Sequence, residues 1–170
     1  MAETAATFNI GFLTVVQETG GHLGGYLVTN RWGRPLEFRL STAVQPNKVQ
    51  QILYGNSLNG YVCADLIGKT LFDKTGTAVS LIVTDRPAVL ELRQTVGVPV
   101  ICLGGAENDA AGTPVLPGKP LLHHTRFPED GPAIRTLLQQ LDEGIDLGEP
   151  FGRIREAIGE ARKMGVTGKN

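Results

Sequence analysis

The chain has 170 residues, the length of one ordinary domain and enough to bury a hydrophobic core. Its composition, 41% hydrophobic and 19% charged, excludes an intrinsically disordered chain. Formal net charge is −1 with 16 basic residues spread along the sequence, which argues against a broad phosphate-binding footprint, because sequence-independent nucleic-acid affinity needs clustered Lys and Arg.

Residues 1–7 are small and polar and read as a loose end. Residues 1–10 lack the basic-then-apolar order of an export signal, and no stretch approaches the ~20 apolar residues that span a bilayer. A cytoplasmic protein with no membrane contact is therefore expected. Phe8 to Gln17 (FNIGFLTVVQ) is rich in β-branched and aromatic residues with apolar side chains on both faces, which predicts a central strand, with Gly11 marking a close approach. Glu18 to Gly25 is glycine-rich and reads as a turn. Tyr26–Thr29 and Pro35–Leu40 flank the loop Asn30–Arg34. In the second arm Leu36, Phe38 and Leu40 alternate with Glu37 and Arg39, the period of a half-buried strand. The pair is an antiparallel hairpin, and Gly33 suits a positive φ in its loop.

After Ser41 the period becomes helical. Pro46 can open a helix in which Val49, Ile52 and Leu53 share a face, stopping at Gly55. A second helical stretch runs from Leu58 to Phe72, weakened by Gly60 and Gly68. Residues 78–103 read as a βαβ unit. Val79–Val83 and Val98–Leu103 are short apolar runs suited to buried parallel strands, and between them a helix opens at Pro87 behind Thr84 or Asp85 as cap. Residues 104–128 are rich in Gly and Pro and predict a long loop. Two helices close the chain, one from Pro132 to Leu141 and one from Pro150 past Ala161, forming a helical hairpin. The expected fold is mixed α/β over residues 1–170 as a single domain: an N-terminal antiparallel hairpin and one parallel βαβ unit in a mixed sheet, then the helical hairpin.

No segment carries a signature that names a family or a reaction. Cys63 and Cys102 form no CxxC pair and stand in apolar stretches, so buried thiols are expected. His22, His123 and His124 are the only histidines. Adjacent residues on a strand point to opposite faces, so His123 and His124 cannot share a metal. A general-base role for either with Glu129 or Asp130 has no nucleophile beside it. The plain expectation is a polar loop followed by a helix capped by Asp130. No metal site, catalytic residue or cofactor is assigned.

The strongest surface candidate is the hairpin tip. Trp32, flanked by Arg31 and Arg34 with Arg39 on the strand behind, combines the residue types that dominate protein-binding hot spots. It points to a binding or assembly protein acting through protein–protein contacts or self-association. The competing possibility for Trp32 is that it folds back onto Tyr26 or Phe38. The alternative function, a small enzyme or a binder of a nucleotide-type ligand, would use the ends of the parallel strands: Asp85 and Arg86 after the first, Glu107, Asn108 and Asp109 after the second. A nucleic-acid module built on the hairpin arginines is the weaker alternative, given the neutral charge. The junction Tyr54–Gly55–Asn56 and Asn59–Gly60–Tyr61 forms turns between two helices and can line a pocket.

Overall fold

In β1 (Ile10–Glu18) apolar side chains fill both faces, Ile10 and Phe12 on one and Leu13 and Val15 on the other, all buried. A strand of this kind can lie only between two covering layers. The computed structural model, which describes residues 8–18, 20–104, 112–115, 121–141 and 145–165, places it third in a seven-stranded mixed sheet of order β3-β2-β1-β4-β5-β7-β6. β1 pairs antiparallel with β2 (Gly21–Thr29) and β2 with β3 (Pro35–Leu40), which is the expected hairpin. On its other side β1 runs parallel to β4 (Leu81–Thr84), and β4 parallel to β5 (Val100–Leu103). The two apolar runs are thus neighbouring parallel strands, as their composition predicts. A 3-10 helix, Pro87–Gln94, bridges them with Pro87 in its first turn and Val89, Leu90 and Leu92 buried. Its N-cap is Arg86 rather than Thr84 or Asp85, although the Thr84 hydroxyl accepts from the Arg86 N–H at 3.1 Å.

Two helical layers cover the sheet. One face packs against a continuous helical run: α2 (Leu58–Gly60), a π-helical stretch Tyr61–Gly68 and α3 (Lys69–Lys74), together with the 3-10 crossover. Cys63 and Cys102 are both buried in this layer. The opposite face packs against α4 (Asp130–Gln139) and α5 (Glu149–Lys163), through Ile134, Phe151, Ile154 and Ile158. The Gly24–Gly25 pair lets both layers close on β2 at one point. A methyl group at Gly24 would collide with Ile67 of the π-helical stretch, and one at Gly25 with Ile154 of α5. This stretch is therefore strand from Gly21 onward, and the sequence expectation of a turn reaching Gly25 is corrected. The glycines serve packing, not reversal.

Three further expectations change. The loop expected over 104–128 contains two strands, β6 (Gly112–Pro114) and β7 (Leu121–His124), which extend the sheet antiparallel beyond β5. Their shortness and the Gly and Pro content hide them from pattern reading. His123 and His124 therefore lie on a buried strand, not in a polar loop, and point to opposite faces as expected. His123 sits beside Gly131 of α4, whereas His124 faces Glu91 of the crossover helix. Asp130 is not a cap. It is buried in the first turn of α4 and paired with Arg93, Nε to Oδ2 at 2.7 Å, which ties α4 to the crossover helix on the other side of the sheet. Finally, α1 (Lys48–Tyr54) forms as expected, with an Asn47–Gln50 capping box, but it buries no residue. Its apolar face looks outward.

Candidate functional site

The loop between β2 and β3 is fixed by its own backbone and by both C-terminal helices. Asn30 folds it: its side-chain Oδ1 accepts from the N–H groups of Trp32 at 2.9 Å and Arg34 at 3.0 Å. Main-chain bonds from Gly33 N–H to Asn30 O, and from Asn30 N–H to Arg34 O, close the turn at 3.0 Å each. Asn before a tight turn is chosen because its short amide reaches backbone N–H groups two residues on. Gly33 has φ of +87°, a conformation that side chains resist. Arg153 of α5 donates to the Gly33 carbonyl at 3.0 Å while holding Glu149, and Arg31 donates to the Gln140 carbonyl at 3.0 Å.

On this braced loop the side chain of Trp32 is 66% exposed. It does not fold back onto Tyr26, which is buried, and its only ring contact among the described residues is the Arg31 guanidinium, 5.4 Å from the ring centroid. Beneath it lies a depression of about 280 Å³ bordered by Ile10, Phe12, Thr29 and Pro150. Leu36 and Phe38 continue the exposed apolar surface along β3. Arg31 and Arg34 flank Trp32, but Arg39 does not join them. It alternates with Phe38, projects from the other face of β3 and pairs with Glu37 at 3.0 Å. Glu37 in turn accepts from the Thr77 hydroxyl at 2.8 Å and from the N–H groups of Gly76 and Thr77, contacts that hold its carboxyl below the usual carboxylate range.

The strand-end candidates divide. Asp85 accepts from the buried Thr14 hydroxyl at 2.6 Å and pairs with Arg155 of α5, so its carboxylate is engaged in joining β1, β4 and α5. Arg86 opens the crossover helix beside it. Glu107, Asn108 and Asp109 lie outside the described residues. The strand order advances β1-β4-β5 with both crossover segments packed on one face, so the order of the parallel strands never reverses. The crevice that doubly wound sheets open at such a reversal is not generated here.

A depression of about 640 Å³ lies instead between residues 54–65 and the crossover helix. The Tyr54–Tyr61 junction lines it, as its sequence suggests, with the two rings stacked at 4.0 Å. A hydrogen bond with Tyr61, then desolvation and the charges of Tyr61 and Asp65, push the Tyr54 phenol up. Asp65 and Glu91 face the same space, and behind Glu91 stands buried His124, Nε2 to Oε1 at 3.4 Å. The carboxylate partner of His124 is thus Glu91, not Glu129 or Asp130. Nothing in the spacing marks residues 91 and 124 as neighbours, because a sheet register brings them together. Among the described residues no group of His, Cys, Asp or Glu is placed to hold a metal ion, and no helix is long and apolar enough to cross a membrane.

No family model matches the chain, and no curated protein is similar enough to carry a comparison.

Proposed function

We propose that this chain is a non-enzymatic binding or assembly protein that acts through protein–protein contacts, with Trp32 and its hairpin in the contact surface. The observation that carries this is the pairing of exposure with rigidity. A large aromatic ring stands 66% exposed on a loop held at Asn30, Gly33 and Arg31 by hydrogen bonds to fixed neighbours. An exposed Trp on a mobile loop would lose its ordering entropy on binding, whereas a braced one presents its area already ordered. Trp and Arg together supply most of the energy at such contacts; Arg31 stands against the ring, and Arg34 follows two residues on. The near-neutral net charge favours a protein partner over a nucleic acid.

Replacing Trp32 by Ala tests the assignment. Because the ring buries little within the chain, thermal stability should change by no more than about 0.5 kcal/mol, while self-association or partner capture weakens by about tenfold or more. Unchanged affinity together with a loss of several kcal/mol would show that the ring serves the fold.

A second function is favoured by the 640 Å³ depression: a small-ligand site. Its described lining contains Asp65, Glu91 and two tyrosines but no Lys or Arg, which suits an uncharged or cationic ligand better than a nucleotide phosphate. A ligand at 100 times its dissociation constant would add about 2.7 kcal/mol of stability, readily seen in a thermal-shift panel of amines and nucleotides. Silence across the amines would remove this second function.

A further inference from the structure

Among the described residues β3 is an edge strand, and the outward backbone groups of Phe38 and Leu40 have no partner. Ser41 donates its N–H to the Gly24 carbonyl, so below the register shift Glu37, Arg39 and Ser41 turn their main-chain groups toward β2, and those of Phe38 and Leu40 turn away from the sheet. No described residue hydrogen-bonds to them. Natural edge strands are usually protected by inward-pointing charges, prolines or covering segments. Here the register irregularity is confined to the Val28/Thr29 end, and Leu36 and Phe38 stay 46% and 38% exposed.

The sequence of this edge, Leu36-Glu37-Phe38-Arg39-Leu40, is self-complementary when read against itself in reverse. In an antiparallel pair related by a two-fold axis through Phe38, Leu36 stands opposite Leu40, Glu37 opposite Arg39, and Phe38 opposite its own copy. All apolar side chains then share one face and both charge pairs the other. The same axis demands that Phe38 exchange both of its main-chain hydrogen bonds with its mate, and the outward direction of its N–H and C=O is the one this requires. A register moved by one residue would set apolar residues against charged ones and turn the outward groups out of alignment.

We infer that the occupant of this edge is a second copy of the chain, joined β3 to β3 by a two-fold axis at Phe38 so that one sheet runs through both copies. The inference rests on the hairpin being an interaction surface and names what it meets. A two-fold, isologous contact is the commonest way a soluble chain self-associates, and it closes without leading to a filament.

Sedimentation of the full chain over a concentration series, with two charge variants, tests it. The wild type should dimerise. Arg39→Glu places like charges opposite one another twice and should raise the dissociation constant by about tenfold. Glu37→Arg should do the same, and mixing the two variants should restore association, because each then offers what the other lacks. Should Glu37→Arg fail to fold for want of its bonds to Gly76 and Thr77, amide hydrogen exchange of the wild type decides alone: the Phe38 and Leu40 amides should gain protection as the dimer fills. A wild type that stays monomeric throughout, mixed variants that do not reassociate, or edge amides that stay unprotected in the dimer would each overturn the pairing. If Trp32→Ala dissociates the dimer while Arg39→Glu leaves it intact, the edge pairing falls and the Trp32 surface stands.

Discussion

Val49, Ile52 and Leu53 in α1 and Phe151, Ile154 and Ile158 in α5 both recur at helical spacing, yet the first three are 61, 70 and 77% exposed and the second three at most 2%. Spacing determines which side chains share a face and leaves open what that face meets. α5 has 15 residues and lies across the sheet, with the Gly25 gap admitting Ile154. α1 has seven residues, a length marginal for a helix alone, and it is held by its capping box and by Gln51, which donates to the Pro46 carbonyl at 3.1 Å. The same contrast separates the two ends of the sheet. The β5–β7 side is fastened by buried Asp130 and His124, paired with the partly exposed Arg93 and Glu91, whereas the β3 side ends in exposed Leu36, Phe38 and Trp32.

The largest effect should come at the fastened side. Asp130→Ala leaves the Arg93 guanidinium, only 15% exposed, without its carboxylate, and stability should fall by about 3–5 kcal/mol in chemical denaturation. A loss under about 1 kcal/mol would mean that the pair does not anchor α4. Next, Ile154→Ala and Ile52→Ala compare the two helical faces with one substitution. The first opens a cavity and should cost about 2–5 kcal/mol, whereas the second should stay within about 0.5 kcal/mol in the monomer. Equal costs would show that α1 is covered after all. The smallest effect is a pH dependence at Glu37. Its carboxyl is held below the ordinary range, by the Thr77 hydroxyl first, so its tether to residues 76–77 is complete at neutral pH. That tether is lost only as pH falls below the unfolded value through the depressed folded one. Amide exchange at Gly76 and Thr77 should therefore stay slow at mildly acidic pH and accelerate only in stronger acid.

Much of the architecture was legible because local patterns and the sheet agree. The alternation in Pro35–Leu40, the two apolar runs around Pro87, and the stripe in α5 each specify one element in one setting. What escaped did so for physical reasons. β6 and β7 have three and four residues, too few to show a period, and they gain their strand state from β5 rather than from propensity. Gly24 and Gly25 imitate turn residues while making room for helices. At the surface, Trp32 and its flanking arginines were visible as residue types, but the brace that gives them meaning, Arg153 on Gly33 and Arg31 on Gln140, joins positions more than a hundred residues apart. The strand-end site rests on general topology alone. This sheet does not reverse its strand order, and Asp85 is engaged in structure.

Trp32 is the chain's single tryptophan, so intrinsic fluorescence reports on this one side chain. Quenching by a neutral solute such as acrylamide, followed from dilute protein to conditions in which its partner is bound, tests the contact surface most directly. The ring should be freely quenched when the protein is alone and become shielded, with emission shifted to shorter wavelength, in step with association. Shielded emission in the dilute, folded protein, or quenching that stays the same when association is complete, would contradict the assignment of Trp32 as the contact.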